Sequence, residues 1–255
     1  MLTRQLGVSL ITVIHKNKER YQMNNNIKIA RIVGALFIVA TVAYSLGVVL
    51  LDPILGASDY LTNISANENT VIIGAFLVLI DAVAVAGIAI LIYPVLKKHN
   101  ETLALGYVGA RIGESLLFSV NVITTLTLLT LSQEFAKAGA LDTSYYQILG
   151  TVLLAAGNWA YLLGLGLAFA ISALILNFVL YQSKLIPRWL SGWGFIGAAL
   201  VFANFLLESF GINPVEIFFL PIAVQEMVFA VWLIVKGFNS PPTISVATKT
   251  NVNEA

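Results

Sequence analysis

An arginine and a glutamate lie inside one of the long apolar stretches of this chain. The stretch runs from about Leu103 to Leu131 and contains the segment Gly109-Ala110-Arg111-Ile112-Gly113-Glu114. Residues three positions apart share one face of a helix, so Arg111 and Glu114 can pair with each other. Charged side chains at such depth are costly, and in multi-pass membrane proteins they face the bundle interior more often than lipid. We therefore expect this pair to belong to a polar cluster inside a membrane protein.

Other polar side chains lie at matching depth in other apolar stretches. The helices that carry Glu114 and Glu226 run in opposite directions. At a rise of about 1.5 Å per residue, each glutamate lies roughly 15 Å from the same side of the membrane, so their carboxyl groups can meet near its middle. Asp81 lies in a further stretch, somewhat nearer the other side. The predicted intramembrane cluster consists of Arg111, Glu114, Glu226 and Asp81, with Asn121, Gln225 and Asn158 as additional candidates.

The cluster has two main interpretations, because three acids face one base. In the structural interpretation, Arg111 pairs with Glu114 and Glu226, and the charges only fix how the helices pack. In the functional interpretation, the excess of acid is handled by protonation, a bound cation or a water-filled path, as in proton- or ion-coupled sites. Catalysis is a weaker third interpretation, since no suitable base lies beside a nucleophile. The sequence leaves the first two interpretations open.

Several kinds of chemistry are excluded by residues that the chain lacks. There is no cysteine, which excludes disulfides, thiolate catalysis, iron–sulfur clusters and cysteine zinc sites. His15 and His99 lie outside the apolar stretches, so haem or metal held by histidines within the membrane is also excluded. The segment Gly192-Trp193-Gly194-Phe195-Ile196-Gly197 matches a dinucleotide-binding fingerprint, but it begins a membrane span, and we interpret it as helix packing. We predict no catalytic residue, no cofactor, no metal site and no enzymatic activity.

Six apolar stretches carry these side chains, and each is long enough to cross a membrane. The chain is 58% hydrophobic and 11% charged, whereas soluble domains contain about 25% charged residues. About 20 apolar residues in a helix span the hydrocarbon core of a bilayer. We predict an all-α, polytopic integral membrane protein, a bundle of six transmembrane helices at about residues 29–51, 71–96, 103–131, 150–181, 188–208 and 215–235.

The predicted membrane domain covers residues 27–238, and the segments around it are polar. Residues 1–26 are expected to be an N-terminal extension, either disordered or a wrongly assigned start with Met23 as the alternative first residue. Residues 239–255 are expected to be a disordered tail. The connections at residues 52–69 and 132–149 contain apolar side chains that favour short helices on the membrane surface.

Glycine spacing predicts two places of close helix packing. Gly109 and Gly113 flank Arg111, and Gly150, Gly157 and Gly164 recur every seven residues along one face of the fourth span. Small residues at such spacing let a second helix approach closely. We therefore expect a neighbouring helix to contact each of these faces.

The basic residues are concentrated on one side of the predicted membrane domain. Six spans place both termini on the same side, together with twelve of the fourteen Lys and Arg residues. Of the other two, Lys137 lies on the opposite side and Arg111 lies within the membrane. The positive-inside rule then places both termini in the cytoplasm.

Several segments resemble those of one family and occur in the same order. They are Tyr93-Pro94-Val95-Leu96-Lys97, then Leu103-Ala104-Leu105-Gly106-Tyr107 with Arg111 and Glu114, then Ile186-Pro187-Arg188-Trp189-Leu190-Ser191-Gly192-Trp193-Gly194, and finally Glu226-Met227 with Trp232-Leu233-Ile234-Val235-Lys236-Gly237-Phe238. From about residue 27 to residue 238, the chain resembles the bacterial membrane proteins catalogued as domain of unknown function 4386. The resemblance implies a multi-pass protein of the bacterial cytoplasmic membrane, and it supports the Arg111, Glu114 and Glu226 pattern without implying a chemistry.

Three functions agree with these observations. The first is a transporter or permeation protein for a small solute or ion, with the charged cluster as its polar centre. The second is a non-catalytic, membrane-embedded structural or partner subunit, and the third, less favoured, is a membrane enzyme that acts on lipid. The expected partners are the lipid bilayer and a small solute or cation. The net charge of +1 gives no case for nucleic acid, and a homo-oligomer stays open.

Overall fold

The computed structural model describes residues 2–138, 143–213 and 215–239, and every regular element in these ranges is helical. The prediction of an all-α protein is therefore confirmed for these ranges. The elements are α1 (Leu2–Leu55), α2 (Tyr60–Ala66), α3 (Glu68–Leu96), α4 (Glu101–Ala138), α5 (Thr143–Tyr161), a π-helical segment (Leu162–Phe169), α6 (Ala170–Ser183), α7 (Arg188–Ser209), a 3-10 turn (Glu216–Phe219) and α8 (Leu220–Val235).

Six helical stretches are long and apolar enough to cross a membrane, as the hydropathy predicts. Large apolar side chains cover their outer faces, and Val49, Val83, Ile123 and Ile196 are each more than 60% exposed. Such a surface requires lipid around it. Six passes place both ends of the domain on one side of the bundle, called the terminal side below. The spans are Asn24–Leu55, Glu68–Leu96, Glu101–Ala138, Ser144–Ser183, Arg188–Ser209 and Ile217–Val235.

Helix α1 begins at Leu2, before the first predicted span. The sequence predicts a disordered extension over residues 1–26, whereas the backbone from Leu2 onward continues the first span as one helix. The physical reason is the absence of a stop signal, since no glycine or proline occurs between Val8 and Val33. A wrongly assigned start stays a prediction. The predicted disordered tail lies outside the described residues from position 240 onward.

The third and fourth spans also extend beyond their predicted ends. Helix α4 continues to Ala138, and α5 begins at Thr143, so the predicted surface helix within residues 132–149 is absent from the described part of that connection. The rings of Phe135 and Tyr146 contact each other, with centroids 5.8 Å apart. Their apolar side chains therefore join the two long helices to each other instead of forming a separate element.

Helix α2 packs against the bundle rather than lying free on its surface. Two of the side chains that suggested a surface helix, Leu61 and Ile64, are buried against neighbouring helices. The Ser132 hydroxyl of α4 donates a hydrogen bond of 2.5 Å to the Leu61 carbonyl oxygen. The apolar face of this short helix is satisfied by protein contacts, so α2 covers the end of the bundle opposite the terminal side.

The six spans form a ring with a gap in its middle. Helix α1 packs against α3 and α8, α3 packs against α4, and α4 packs against α5, the π-helical segment and α6. Helix α7 completes the ring by packing against α6 and α8. One apolar core lies at the terminal side and includes Ile92, Leu180 and Leu233. A second lies at the opposite side and includes Leu51, Ile64 and Leu128.

Glycines create close helix contacts at some of the predicted positions. A Cβ atom at Gly157 would lie 2.9 Å from the Thr124 hydroxyl oxygen, and one at Gly164 would lie 3.3 Å from the Phe118 ring, which confirms the predicted seam. The prediction for Gly109 and Gly113 is wrong, because a Cβ atom added at either position would have no neighbouring heavy atom within 4 Å. Both are two residues from Arg111, and positions two apart on a helix face opposite ways.

Candidate functional site

Arg111 lies at the centre of a buried ion-pair cluster that joins two helices. Its Nη1 donates to both carboxylate oxygens of Glu114, at 3.1 and 3.2 Å, and its Nη2 donates to Oε1 of Glu226 at 3.4 Å. The side chains of Arg111 and Glu114 are 3% exposed, and that of Glu226 is 16% exposed. The structure thus brings Glu114 and Glu226 to the same arginine, as their matching depths predict.

The sequence of α4 explains why these charges face inward. Tyr107, Arg111, Glu114 and Phe118 follow one another at spacings of four, three and four residues, and all four are buried. This spacing keeps them on one face of the helix. Glu226 lies on the facing helix α8. The two helices therefore present opposite charges to each other across the interior of the bundle.

Aromatic rings surround the Arg111 guanidinium on the sides that the carboxylates leave free. Its central carbon lies 5.7 Å from the ring centres of Phe37 and Tyr107 and 5.1 Å from that of Phe169. Cations within about 6 Å of an aromatic face are attracted by the ring, more strongly where water is absent. The rings come from α1, α4 and the π-helical segment. Arg111 therefore contacts side chains of all three elements in addition to the two carboxylates.

A cavity of about 310 Å³ lies next to this cluster. Its walls come from α1, α3, α4, the segment around Tyr161 to Phe169, and the start of α8. Arg111, Glu114 and Glu226 line it, and so does Asp81 from the facing helix α3. Four charged side chains therefore face one space within the membrane, as the sequence predicts for these four residues.

Asp81 differs from the other two acids because its carboxylate is not paired with Arg111 or with any other described residue. The residue is only 5% exposed, and its carboxylate makes no hydrogen bond or ion pair within the described part of the chain. Burying a charged group without a partner is costly, and the cost falls if the group is protonated or binds a cation. The cavity thus contains a carboxyl group that still requires a partner.

Two further polar groups near Arg111 are unsatisfied. The Arg111 Nε and the Tyr107 hydroxyl are both buried and have no hydrogen-bond partner among the described residues. Buried donors of this kind are normally satisfied by protein or by water. Both atoms are enclosed by protein, and Tyr107 belongs to the terminal-side core and does not line the cavity.

Aromatic side chains form the part of the cavity farther from the cluster. The rings of Tyr44 on α1 and Tyr161 on α5 are nearly parallel, at 3°, with centroids 6.5 Å apart. Tyr44 also stacks on Phe118, with a centroid distance of 5.7 Å. The cavity is therefore lined by carboxyl groups in one part and by aromatic rings in another.

The cavity is separated from the terminal side by packed apolar side chains. Phe37 of α1 and Phe229 of α8 meet edge to face, with centroids 5.4 Å apart, and both belong to the terminal-side core. Helices α1 and α8 approach closely there, since a Cβ atom at Gly34 would lie 2.6 Å from the Ala230 carbonyl oxygen. These packed side chains therefore lie between the cavity and the terminal side.

Three of the predicted cluster residues do not line the cavity. Asn121 donates a hydrogen bond of 3.0 Å to the Gly157 carbonyl oxygen, and Asn158 is exposed on the outer surface. Gln225 is buried in a separate network, where its amide donates to the Leu190 carbonyl oxygen at 3.2 Å. Depth alone suggested these residues, whereas the direction of each side chain around its helix places it elsewhere.

The aromatic and π-helical parts of the site are absent from the residues predicted from the sequence. Tyr44 and Tyr161 both lie in the middle of a span, whereas tyrosine is enriched at membrane interfaces. Their unusual depth is therefore a feature of the sequence that indicates a polar interior. The π-helical segment Leu162–Phe169 places Leu165 and Phe169 at the cavity. Such segments are rare and are frequently found at functional sites.

The comparisons with known proteins identify the family and no activity. Comparison with curated proteins and with solved structures gives no match. A family model described as "Domain of unknown function (DUF4386)" matches residues 32–237, which covers all six spans except a few terminal residues. Arg111, Glu114, Glu226 and Asp81 all lie within the matched range. The chain belongs to the family defined by this domain of unknown function, DUF4386.

Proposed function

We propose that this integral membrane protein binds and transports a small organic cation. The observation that carries the proposal is the Asp81 carboxyl group, which is buried and unpaired among the described residues and faces a cavity within the membrane. Together with Glu114 and Glu226 it gives the cavity three acids against the single base Arg111. A cation bound beside Asp81 supplies the missing positive charge.

The shape and lining of the cavity favour an organic cation. Its volume of about 310 Å³ is at the lower end of the range for small-molecule sites. The aromatic rings of Tyr44, Phe118 and Tyr161 offer the faces that recognise alkylammonium groups. No three His, Asp or Glu side chains in the described residues converge as a metal site would require.

Transport in this proposal is coupled to protons. When the cavity is empty, its excess acids are neutralised by protonation, and an arriving cation replaces a proton. The exchange keeps the charge inside the membrane nearly constant, which lowers the cost of moving between states. The terminal-side core around Phe37 and Phe229 must separate to release the cation.

The proposed setting is a bacterial cytoplasmic membrane with both termini in the cytoplasm. The excess of Lys and Arg in the terminal-side connections supports this orientation. A cation released past the terminal-side core would then enter the cytoplasm.

A cation-dependent thermal shift tests the proposal. We expect tetraethylammonium to raise the melting temperature of the purified protein by several degrees, more at pH 8 than at pH 5, because protons compete with the cation. Asp81→Asn should abolish the shift. Asp59→Asn is the matched control, since Asp59 is exposed at the start of α2 and lies outside the cavity.

Two outcomes would refute the cation site. One is that no cation among the tetraalkylammonium series stabilises the wild type. The other is that Asp81→Asn responds to the cation as fully as Asp59→Asn does.

A structural subunit is the second candidate function. The favouring observation is that Arg111 bonds Glu114 on its own helix and Glu226 on α8, which fixes the position of α8 against α4. In this case Asp81→Asn should stabilise the fold, because it removes a buried charge without a partner, and no cation should alter the melting temperature. The same set of measurements therefore separates the two candidates.

A further inference from the structure

We infer that the cation reaches the cavity sideways from the lipid, between α1 and α8, and that the substrates are hydrophobic monovalent organic cations. This inference rests on the proposed cation site and adds the route and the substrate class. It requires that both ends of the cavity are closed and that its side is open within the hydrocarbon.

An apolar core lies at each end of the cavity. The terminal-side core contains Phe37 and Phe229. At the opposite side, Phe118 belongs to the second core together with Ile64 of α2, and the Ser132 to Leu61 hydrogen bond holds α2 over that end. A hydrated ion that moves along the bundle axis must therefore cross one of these apolar cores to reach Asp81.

The side of the cavity between α1 and α8 is open. These helices contact each other closely near Gly34 and Ala230. Farther from the terminal side, Ser45 of α1 and Ala223 of α8 both line the cavity and are nevertheless exposed. Exposed residues that also line an internal space mark its mouth.

The depth of this mouth places it beside lipid chains. Ser45 lies ten residues before the end of α1 at Leu55, which is about 15 Å along the helix. Ala223 lies six residues after Ile217, where the last span begins, which is about 9 Å. Both residues therefore lie at least six residues inside spans that cross a hydrocarbon core about 30 Å thick.

The chemistry of the route selects the substrate. A solute that enters through lipid must be soluble there, which excludes strongly hydrated ions and favours a charge shielded by alkyl or aryl groups. Thr41 and Ser45 supply hydroxyl groups beside the mouth, Tyr44 and Tyr161 supply aromatic faces, and Asp81 supplies the charge. The site therefore fits a hydrophobic quaternary ammonium and gives poor affinity for choline-sized hydrophilic cations.

A spin label at the mouth tests the route. The chain has no cysteine, so Ser45→Cys carries the only label in proteoliposomes. We expect its collisions with lipid-soluble oxygen to exceed those with a water-soluble nickel chelate at least tenfold, and tetrapropylammonium should reduce the oxygen collisions. Val49→Cys is the control, because Val49 is 68% exposed on the same helix and does not line the cavity. Its oxygen collisions should not respond to the cation.

A plug at the mouth provides an independent test. Ala223→Trp should fill the opening and slow the association of tetrapropylammonium at least tenfold, because every ion must pass this point, while the melting temperature of the unliganded protein stays within a few degrees. Val231→Trp on the same helix should associate as fast as the wild type does, because Val231 faces outward and is 54% exposed. The association rate is measured by stopped-flow displacement of a fluorescent hydrophobic cation.

The outcomes separate this inference from the proposed function. Lipid-dominated collisions together with at least tenfold tighter binding of tetrapropylammonium than of choline support the lateral route. Nickel-dominated collisions at Ser45→Cys, or equal affinity for choline, overturn it while an Asp81-dependent cation site still stands. Loss of every Asp81-dependent response overturns the cation site itself.

Discussion

At the scale of single residues, Arg111 joins the charged and the aromatic side chains of the site. It contacts two carboxylates and three aromatic rings, and it is almost fully buried. Glu114 and Glu226 depend on it for their only positive partner among the described residues. Removing the arginine therefore leaves two buried acids without a base.

Arg111→Ala should destabilise the fold, and a second substitution should partly restore it. Breaking a buried ion pair by removing one partner costs about 3–5 kcal/mol. The double variant Arg111→Ala with Glu114→Gln should recover a part of that loss, because position 114 is then neutral and only Glu226 stays without its base. Thermal unfolding in detergent, followed by circular dichroism, measures both.

The exposed pair between Lys137 and Glu134 supplies the control for this prediction. It has the same three-residue spacing and a distance of 2.8 Å, but its side chains are 72% and 55% exposed. Lys137→Ala should leave the melting temperature unchanged. Equal losses in the two variants, or an additive double variant, would contradict a special role for the buried cluster.

The four charged residues of the site could be predicted from the sequence, and their neighbours could not. Arg111 and Glu114 are conspicuous because a charge in an apolar stretch has few stable environments, and the depth of Glu226 follows from the rise per residue. Asn121, Asn158 and Gln225 have matching depth but point elsewhere. Depth is encoded along a helix, whereas direction depends on how each helix is rotated against its neighbours.

At the scale of helices, two glycines predict opposite effects of the same substitution. A Cβ atom at Gly34 would lie 2.6 Å from the backbone oxygen of Ala230, and backbone on α8 cannot yield as a flexible side chain can. At Gly113 no neighbouring atom lies within 4 Å. The first position is a helix contact and the second faces outward.

Gly34→Ala should lower the melting temperature by forcing α1 and α8 apart, whereas Gly113→Ala should leave it unchanged or raise it. Replacing a glycine by alanine within a helix stabilises it by about 0.5–1 kcal/mol when there is room for the methyl group. The measurement is thermal unfolding of both purified variants. A Gly34→Ala protein as stable as Gly113→Ala would show that the close approach of α1 and α8 is incorrect.

The helix positions were readable from hydropathy, and the irregular segments were not. Long apolar runs predict where spans lie, but α2 shows the limit, because Leu61 and Ile64 fit a membrane surface and a protein core equally well. Apolar side chains do not specify what covers them. The π-helical turns at Leu162–Phe169 have no sequence signature beyond two glycines within them.

At the scale of the whole molecule, the sidedness of the charges predicts how the protein lies in the membrane. Ser58 lies in the connection between α1 and α2, and Lys98 lies in the turn between α3 and α4, at opposite ends of the bundle. Both are exposed. Because the chain has no cysteine, a single cysteine at either position is free of background labelling.

In intact cells, Ser58→Cys should react with a membrane-impermeant maleimide, and Lys98→Cys should react only after the membrane is permeabilised. This expectation follows from the positive-inside rule, which places the lysine-rich turns in the cytoplasm. Labelling is read as a mass shift on a gel. The reverse pattern would place the termini outside the cell and would reverse the direction of the proposed transport.

The π-helical segment has a consequence for how the cavity could change shape. In a π-helix each backbone N–H bonds one residue farther back than in an α-helix, so the wide turn can move along the chain by exchanging one hydrogen bond at a time. A shift of one residue turns the intervening side chains by about 100° around the helix axis. Tyr161 and Phe169 lie at the two ends of this segment, one at the aromatic wall and one beside Arg111. In the proposed transport, such a shift would change which side chains of this helix contact the cation, while every helix keeps its place in the bundle.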